Sequence, residues 1–125
     1  KLKEISYVPS EGYPAGELKH GTLALIDIRT VSVFIITGKS LAGKCSNAVE
    51  QVLSRKGKAA VITNVAEVAE RFKGRAYVVE IPSCDEWLSP LVSSVVLQLL
   101  AYKTALLLDR DPDKPRNLAK SVTVE

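Results

Sequence analysis

Three short runs of apolar and β-branched residues constrain the fold more than any other feature of this sequence. They are VSVFIIT at 31–37, AAVIT at 59–63 and AYVVEI at 76–81. Each run is almost continuously apolar, which is typical of strands buried on both faces of a parallel sheet. We therefore predict three parallel strands at these positions.

The segments between the strands have helical spacing. Residues 46–57 place apolar side chains on one face and end at Gly57, a typical helix stop. Residues 64–74 repeat this pattern, with Asn64 as the predicted N-cap and Gly74 as the stop. The loop GKSLAGK (38–44) lacks the order of a phosphate-binding P-loop, so we interpret it as a strand-to-helix turn.

A third helix is predicted to begin near 85–89 and to end near Leu108, before the proline-rich DRDPDKPRN. Its apolar run at 91–108 is about as long as a membrane span, but it is interrupted by Ser93, Ser94, Gln98, Lys103 and Thr104. A buried helix of a soluble core is the better interpretation. The alternation of strands and helices predicts an α/β fold in which helices flank a parallel sheet.

The composition indicates one soluble domain and argues against several kinds of partner. The chain has 125 residues and a net charge of +3, and its basic residues are spread rather than clustered. This distribution does not favour a nucleic-acid partner, and we expect no membrane partner. Cys45 and Cys84 stand far apart and there is one histidine, so we expect neither a metal nor another cofactor. Two scattered thiols suit a reducing cytoplasm.

The sequence contains no methionine and begins at Lys1. A translated chain needs an initiator residue, so we expect the sequence to be a piece of a longer protein. The missing portion would lie upstream.

Three titratable residues could carry chemistry, and each has an ordinary alternative. Glu4 lies three residues from Lys1, which fits a surface ion pair as well as a general base. His20 stands at a predicted helix end and could be exposed or could transfer protons. Lys120 could be a solvated lysine of the tail, or a nucleophile that forms a Schiff base with a carbonyl substrate. Local sequence leaves these alternatives open.

Four blocks of the sequence, taken together, closely resemble a known enzyme family. KLKEISY, GELKHG with LALID, QLLAY and the closing PRNLAKSVTVE resemble the C-terminal end of the glucosamine-6-phosphate synthases, the isomerising glutamine–fructose-6-phosphate aminotransferases. The blocks occur in the same order and bracket the whole chain, whereas residues 31–85 match only in pattern. Thr22 departs from the proline expected after KHG.

The resemblance implies a sugar isomerase (SIS) domain, a three-layer sandwich with helices on both faces of a parallel sheet. Residues 1–114 would be an incomplete second SIS domain, lacking its first strand and much of its first helix. Residues 115–125 would be a C-terminal tail of the active site. An upstream glutaminase domain and a first SIS domain of the same chain are implied, together with a homodimer, a cytoplasmic location and fructose 6-phosphate as the substrate.

The resemblance also implies the roles of individual residues. Lys120 would form a Schiff base with the open-chain ketose, and Glu4 would move a proton between sugar carbons 1 and 2. His20, from the neighbouring subunit, would assist ring opening, and Lys1 would support the proton transfers. The backbone near Ala119 would line the sugar site.

The leading hypothesis is therefore the isomerase part of an enzyme that makes glucosamine 6-phosphate from fructose 6-phosphate and glutamine. A second hypothesis is a non-catalytic SIS module that binds or senses a phosphosugar. A third is an assembly domain with structural duties alone. We expect the 125 residues by themselves to have no synthase activity.

Overall fold

The computed structural model describes residues 1–116. The three predicted strands are confirmed, and so are the predicted helices, with ends that differ by a few residues. The strands are β1 (Val31–Ile36), β2 (Lys58–Thr63) and β3 (Tyr77–Glu80). The α-helices are α1 (Leu2–Ser6), α2 (Ala42–Ser54), α3 (Ala66–Phe72) and α4 (Ser89–Leu107), and short 3₁₀-helices lie at Ala15–Lys19, Thr22–Leu25 and Glu86–Leu88.

The chain divides into two compact units. One unit combines Lys1–Glu11 with the chain from Ser94 onward, and the other is Gly12–Ser93. The sheet, α2 and α3 lie entirely in the second unit, while α1 and most of α4 lie in the first.

The sheet of the second unit is parallel, with β2 between β1 and β3. The connections β1–α2–β2 and β2–α3–β3 advance in the same direction, so right-handed crossovers place both helices on one face. The core on this face is apolar, and its larger buried side chains include Phe34, Ile36, Val49, Val52, Val61, Val68 and Phe72. The predicted fold class, an α/β fold with a parallel sheet flanked by helices, is confirmed.

The opposite face of the same sheet carries apolar side chains that remain accessible. Strands alternate their side chains, so residues two apart share a face. On β1 and β3 these exposed residues are Val31, Val33, Ile35, Tyr77 and Val79. A parallel sheet is normally covered on both faces; here Ile62 of the central strand is buried on this face, while its neighbours on β1 and β3 are exposed. We call it the open sheet face.

The C-terminal end of α2 differs from its prediction. The helix ends at Ser54, and Lys56 rather than Gly57 takes the left-handed conformation, with φ 63°. The N–H of Gly57 donates to Val52 O (3.1 Å) and that of Lys56 to Leu53 O (3.0 Å), which satisfies the last carbonyls as in a Schellman motif. Gly57 is needed for space instead. A Cβ built there would lie 2.6 Å from Ile26 Cγ2 and 2.8 Å from Val52 Cγ1.

We expect Gly57→Ala to destabilise the chain by about 1–3 kcal/mol, because two branched core side chains would have to move. Urea unfolding of the 125-residue chain measures this. Gly43→Ala is the matched control, since nothing lies within 4 Å of a Cβ at that helical position. The control should stabilise by about 0.5–1 kcal/mol. Equal effects of the two substitutions would contradict the packing argument.

The start of α3 also corrects its prediction. Asn64 does not cap the helix, whose N-cap residue is Val65 with no side-chain cap. The Asn64 Oδ1 instead accepts a hydrogen bond from the N–H of Gly38 (3.1 Å) and so ties this turn to the loop after β1. Buried Thr63 bridges the same region, donating to Ile36 O (2.7 Å) and accepting from the N–H of Val65 (3.0 Å). A long-range contact has displaced the local capping role.

Helix α4 only partly fits the expectation of a buried helix. Its fully buried positions are small residues, such as Ser93, Ala101 and Ala105. Larger apolar side chains are exposed: Leu91, Val95, Leu99, Leu106 and Leu107. Together with the preceding turn, Glu86–Leu107 is long and apolar enough to cross a membrane, and 17% of its most apolar window is buried. Core helices of soluble proteins also meet this criterion of length and composition.

A cluster of charges joins α2 to the C-terminal end of α3. Glu50 accepts hydrogen bonds from Arg75 (2.6 Å to Oε2) and from Arg71 (3.2 Å to Oε1). Both guanidinium groups also lie over the ring of Phe72, at 5.9 and 5.4 Å from its centroid. The hydrogen bond from Arg75 is the main reason why the pKa of Glu50 is lowered from its ordinary value of 4.5.

This lowered pKa predicts a pH-dependent contribution to stability. The folded state binds fewer protons at Glu50 than the unfolded state, so the contribution is complete above pH 4.5. It is lost as the pH falls through the lowered pKa. We expect Glu50→Gln to lower the melting temperature at pH 7 and to have little effect at the acidic end of a thermal-unfolding series. Glu70→Gln, which removes a pair between exposed side chains, should have little effect at any pH.

Candidate functional site

Glu4 lies in the middle of the short helix α1. Buried Ser6 stabilises the end of this helix, since its hydroxyl donates to Leu2 O (2.6 Å) and accepts from the N–H of Val8 (3.3 Å). The backbone nitrogen of Lys1, which is an ammonium group only where a chain begins at this residue, lies 3.7 Å from Glu4 Oε2. The two side chains are 72% and 55% exposed, so the pair is a solvated one. The Glu4 carboxylate is therefore accessible to a ligand.

Helix α1 ends at Tyr7, which takes a left-handed conformation with φ 62° and donates its N–H to Lys3 O (3.0 Å). Its phenol oxygen accepts a hydrogen bond from the backbone N–H of Arg116 (2.8 Å). Two arginines also approach the ring, Arg116 at 4.2 Å and Arg110 at 5.3 Å from its centroid. Tyr7 thus connects the helix of Glu4 to the last described residue of the chain.

His20 caps the C-terminal end of the 3₁₀-helix Ala15–Lys19, as its predicted place at a helix end required. Its Nδ1 lies 2.8 Å from Glu17 Oε2, and the His20 side chain is 71% exposed. Gly21 follows with φ 131°, a backbone conformation open mainly to glycine. The Glu17–His20 pair holds the imidazole at the surface of the second unit.

The structure places two of the predicted site residues in one compact unit and a third in the other. Lys1 and Glu4 form one pair in the first unit, whereas His20 belongs to the second unit. Lys120 and Ala119 lie outside the described residues. Their roles, and a shared site formed by all five residues, remain predictions.

Sequence reasoning missed two residues that hold the candidates. Glu17 is three positions before His20, a spacing that could have indicated the pair. No local sequence pattern indicates the contact of Tyr7, because its partner Arg116 is 109 positions away in sequence.

A cavity in the second unit is lined by residues other than the predicted site residues. A cavity of about 310 Å³ is lined by α2, α3 and the loop before α2, with polar groups from Lys39, Ser46, Glu67 and Arg71. It contains none of the predicted site residues. Among residues 1–116, no three His, Cys, Asp or Glu side chains form a group that could hold a metal ion.

Comparison with known proteins gives a consistent result over the whole length. The chain is 51% identical over 125 residues to glutamine–fructose-6-phosphate aminotransferase (isomerizing) of Methanosarcina mazei and 47% identical to that of Acinetobacter baylyi. Each match covers 100% of this chain and 20% of the relative. The chain therefore spans about a fifth of the length of the curated relatives that it matches.

A solved structure extends the likeness to the fold. The C-terminal domain of glucosamine-fructose-6-phosphate aminotransferase from Francisella tularensis matches with a TM-score of 0.78 and 34% identity. The match covers 91% of this chain and 32% of that one. The family model described as SIS domain matches residues 1–108. On this evidence, the chain belongs to the SIS domain family.

Proposed function

We propose that this chain is the C-terminal isomerase portion of an enzyme that makes glucosamine 6-phosphate from fructose 6-phosphate and glutamine. The observation that carries the proposal is the 51% identity to a glutamine–fructose-6-phosphate aminotransferase across all 125 residues. In this proposal the chain acts as part of a longer polypeptide, not alone.

The proposed chemistry divides between a nucleophile and a base. The amine of Lys120 attacks the carbonyl carbon of the open-chain ketose and water leaves, which gives an imine. Once protonated, this imine acidifies the neighbouring C–H bond more than a ketone does. Glu4 takes the proton from carbon 1 and returns it to carbon 2, a task that one carboxylate can perform. Ammonia from glutamine displaces the lysine from the imine before this proton transfer, so that lysine leaves as the free amine and the imine that isomerises carries the nitrogen of the product.

Two features of the described residues support these roles. The Glu4 side chain is 55% exposed, so a substrate can reach its carboxylate. His20 is exposed on the second unit and its Nδ1 is held by Glu17. The His20 side chain is 71% exposed, so a neighbouring subunit can reach the imidazole, as assistance to ring opening there would require. Lys1 supports the proton transfers through its charge, and the backbone at Ala119 lines the sugar site.

The proposed partners are the upstream glutaminase and first SIS domains of the same polypeptide and a second copy in a homodimer. The open sheet face supports a covering partner, because it exposes apolar residues of two strands that such a sheet normally buries. The proposed location is the cytoplasm.

A comparison of the 125-residue chain with the longer polypeptide tests the assignment. We expect the longer polypeptide to convert fructose 6-phosphate and glutamine to glucosamine 6-phosphate. The 125 residues alone should form none, because the glutaminase and most sugar-phosphate contacts would lie upstream. Product is measured by chromatography and mass. A longer polypeptide that binds fructose 6-phosphate without forming product would instead favour a module that senses a phosphosugar.

A further inference from the structure

The carboxyl-terminal ends of α2 and α3 lie beside each other at one edge of the sheet. All strands of a parallel sheet begin at the same edge, and Ala60 of β2 pairs with Tyr77 of β3, so the segments that lead into these two strands are neighbours. The fold gathers there six of the 17 basic residues of the chain. All six are exposed: Arg55, Lys56, Lys58, Arg71, Lys73 and Arg75. We call this surface the basic edge.

The acidic side chains near the basic edge do not neutralise it. Glu50 pairs with two of its arginines (2.6 and 3.2 Å), and Glu70 pairs with Lys73 (3.6 Å). In the loop before β1, Asp27 and Arg29 pair with each other (3.1 Å) and add no net charge. Six positive and two negative side chains thus leave the basic edge with a net charge of +4, which exceeds the +3 of the whole chain.

A groove of about 350 Å³ opens on the basic edge. Lys58 and Arg75 supply positive charge to its lining, while Leu53 and Tyr77 supply apolar surface. Tyr77 is 74% exposed, and the remaining lining residues are glycines and alanines besides these four. The groove therefore offers apolar contact next to two cations.

We propose that the basic edge docks a partner protein through a segment rich in aspartate and glutamate. Glu50 shows the chemistry within the molecule, since its carboxylate accepts hydrogen bonds from Arg75 and Arg71 at this edge. A single-stranded nucleic acid would favour several aromatic rings for stacking, whereas Tyr77 is the one aromatic residue among the described residues that line the groove. Carboxylates next to aliphatic side chains fit this lining better. This inference does not depend on the proposed sugar chemistry.

The composition of the basic edge favours a reversible partner over a permanent contact with the longer polypeptide. Lysine is depleted in the buried centre of protein interfaces, and three exposed lysines lie here: Lys56, Lys58 and Lys73. A cluster of one charge sign instead steers an oppositely charged partner toward the surface and speeds its association. The apolar open sheet face is the better candidate for a permanent contact.

The test measures binding of a fluorescein-labelled poly-L-glutamate peptide to the longer polypeptide by fluorescence anisotropy. The combined substitution Lys58→Gln and Lys73→Gln removes two charges of the basic edge. We expect the Kd for the peptide to rise about threefold to thirtyfold, as the loss of two exposed charge pairs implies. The dependence of Kd on salt should weaken as well, because fewer screened charge contacts remain.

Lys39→Gln combined with Lys44→Gln is the matched control, because both lysines are exposed and lie in or just before the first turn of α2. Each double variant removes one lysine that pairs with a glutamate, at 3.4 or 3.6 Å, and one lysine with no ion pair among residues 1–116. The two proteins therefore lose the same charge at opposite ends of the helices. The control should change Kd by less than about twofold.

Lysine acetylation, mapped by mass spectrometry on the longer polypeptide, locates the docking surface. Lys58 and Lys73 should react in the free protein and become protected when the peptide is bound, whereas Lys39 and Lys44 should react in both states. Protection of Lys58 and Lys73 already in the free protein would overturn the proposal, because the longer polypeptide would then cover the basic edge itself.

Three results of the binding measurement would also overturn it. One is a Kd that the Lys58 and Lys73 substitutions leave unchanged. Another is an equal rise of Kd in the control, which would reduce the effect to overall charge. The third is tighter binding of an oligothymidylate of equal charge that is lost with the same two lysines, which would assign the basic edge to nucleic acid. None of these results bears on glucosamine 6-phosphate formation, which is measured separately.

Discussion

Lys120→Arg in the longer polypeptide is expected to lower glucosamine 6-phosphate formation by about a thousandfold or more, as loss of a covalent nucleophile typically does. Arginine keeps the positive charge and nearly the same length. Its guanidinium does not lose a proton in proteins, so it cannot condense with the ketose carbonyl. Product formation by coupled assay and the disappearance of the borohydride adduct measure the loss together.

Lys114→Arg provides the matched control for this substitution. Lys114 is exposed, and its backbone N–H donates to Asp111 Oδ1 (3.3 Å). It should retain full activity and form the adduct normally. Unchanged turnover by the Lys120→Arg protein would exclude the Schiff-base route and favour an assembly or sensing role for the domain.

Glu4→Gln should reduce turnover by about 10²–10⁴-fold, the usual contribution of a general base. Glutamine has the same shape but accepts no proton at neutral pH. The imine with Lys120 should still form, because the nucleophile is untouched, so the borohydride adduct persists while isomerisation stops. This combination distinguishes loss of the base from loss of the site.

Exchange with solvent offers a direct measurement of the Glu4 step. The unmodified protein in D₂O should exchange deuterium at the transferred position, and the Glu4→Gln protein should not. Glu11→Gln serves as the control, because Glu11 is an exposed residue of the same unit. Isomerisation at the normal rate by Glu4→Gln would assign the proton transfer to another group.

The sequence predicted correctly where the strands lie, but its expectation that they are buried on both faces is wrong for β1 and β3. Val31–Ile36 and Lys58–Thr63 are rich in β-branched residues. Their nearly continuous apolar runs are the pattern that predicted them as strands. Helix ends were less predictable, because residues there contact residues that are distant in sequence. Asn64 bonds to Gly38 instead of capping its helix, and Gly57 is required by the packing of Ile26. Neither contact can be read from a local window.

The candidate site was predictable mainly through family resemblance. Local spacing paired Glu4 with Lys1 and placed His20 at a predicted helix end, and the alternatives for both residues stayed open because exposure is decided by tertiary structure. The Glu17–His20 pair lies within one helical turn and was accessible to sequence reasoning. The contact of Tyr7 with Arg116 closes a loop of more than a hundred residues. The hydrophobic periodicity of a sequence does not predict contacts between residues that lie so far apart along the chain.

The open sheet face predicts how the 125-residue chain behaves in solution by itself. β1 and β3 both lie at the margins of the sheet, and each also turns exposed valine, isoleucine or tyrosine toward solvent on the same side. Unpaired strand margins beside an apolar patch are templates for intermolecular pairing. Preparations of the 125 residues alone should therefore self-associate as their concentration rises. We therefore expect light scattering to rise, and shelf life to shorten, under conditions in which the core is still folded.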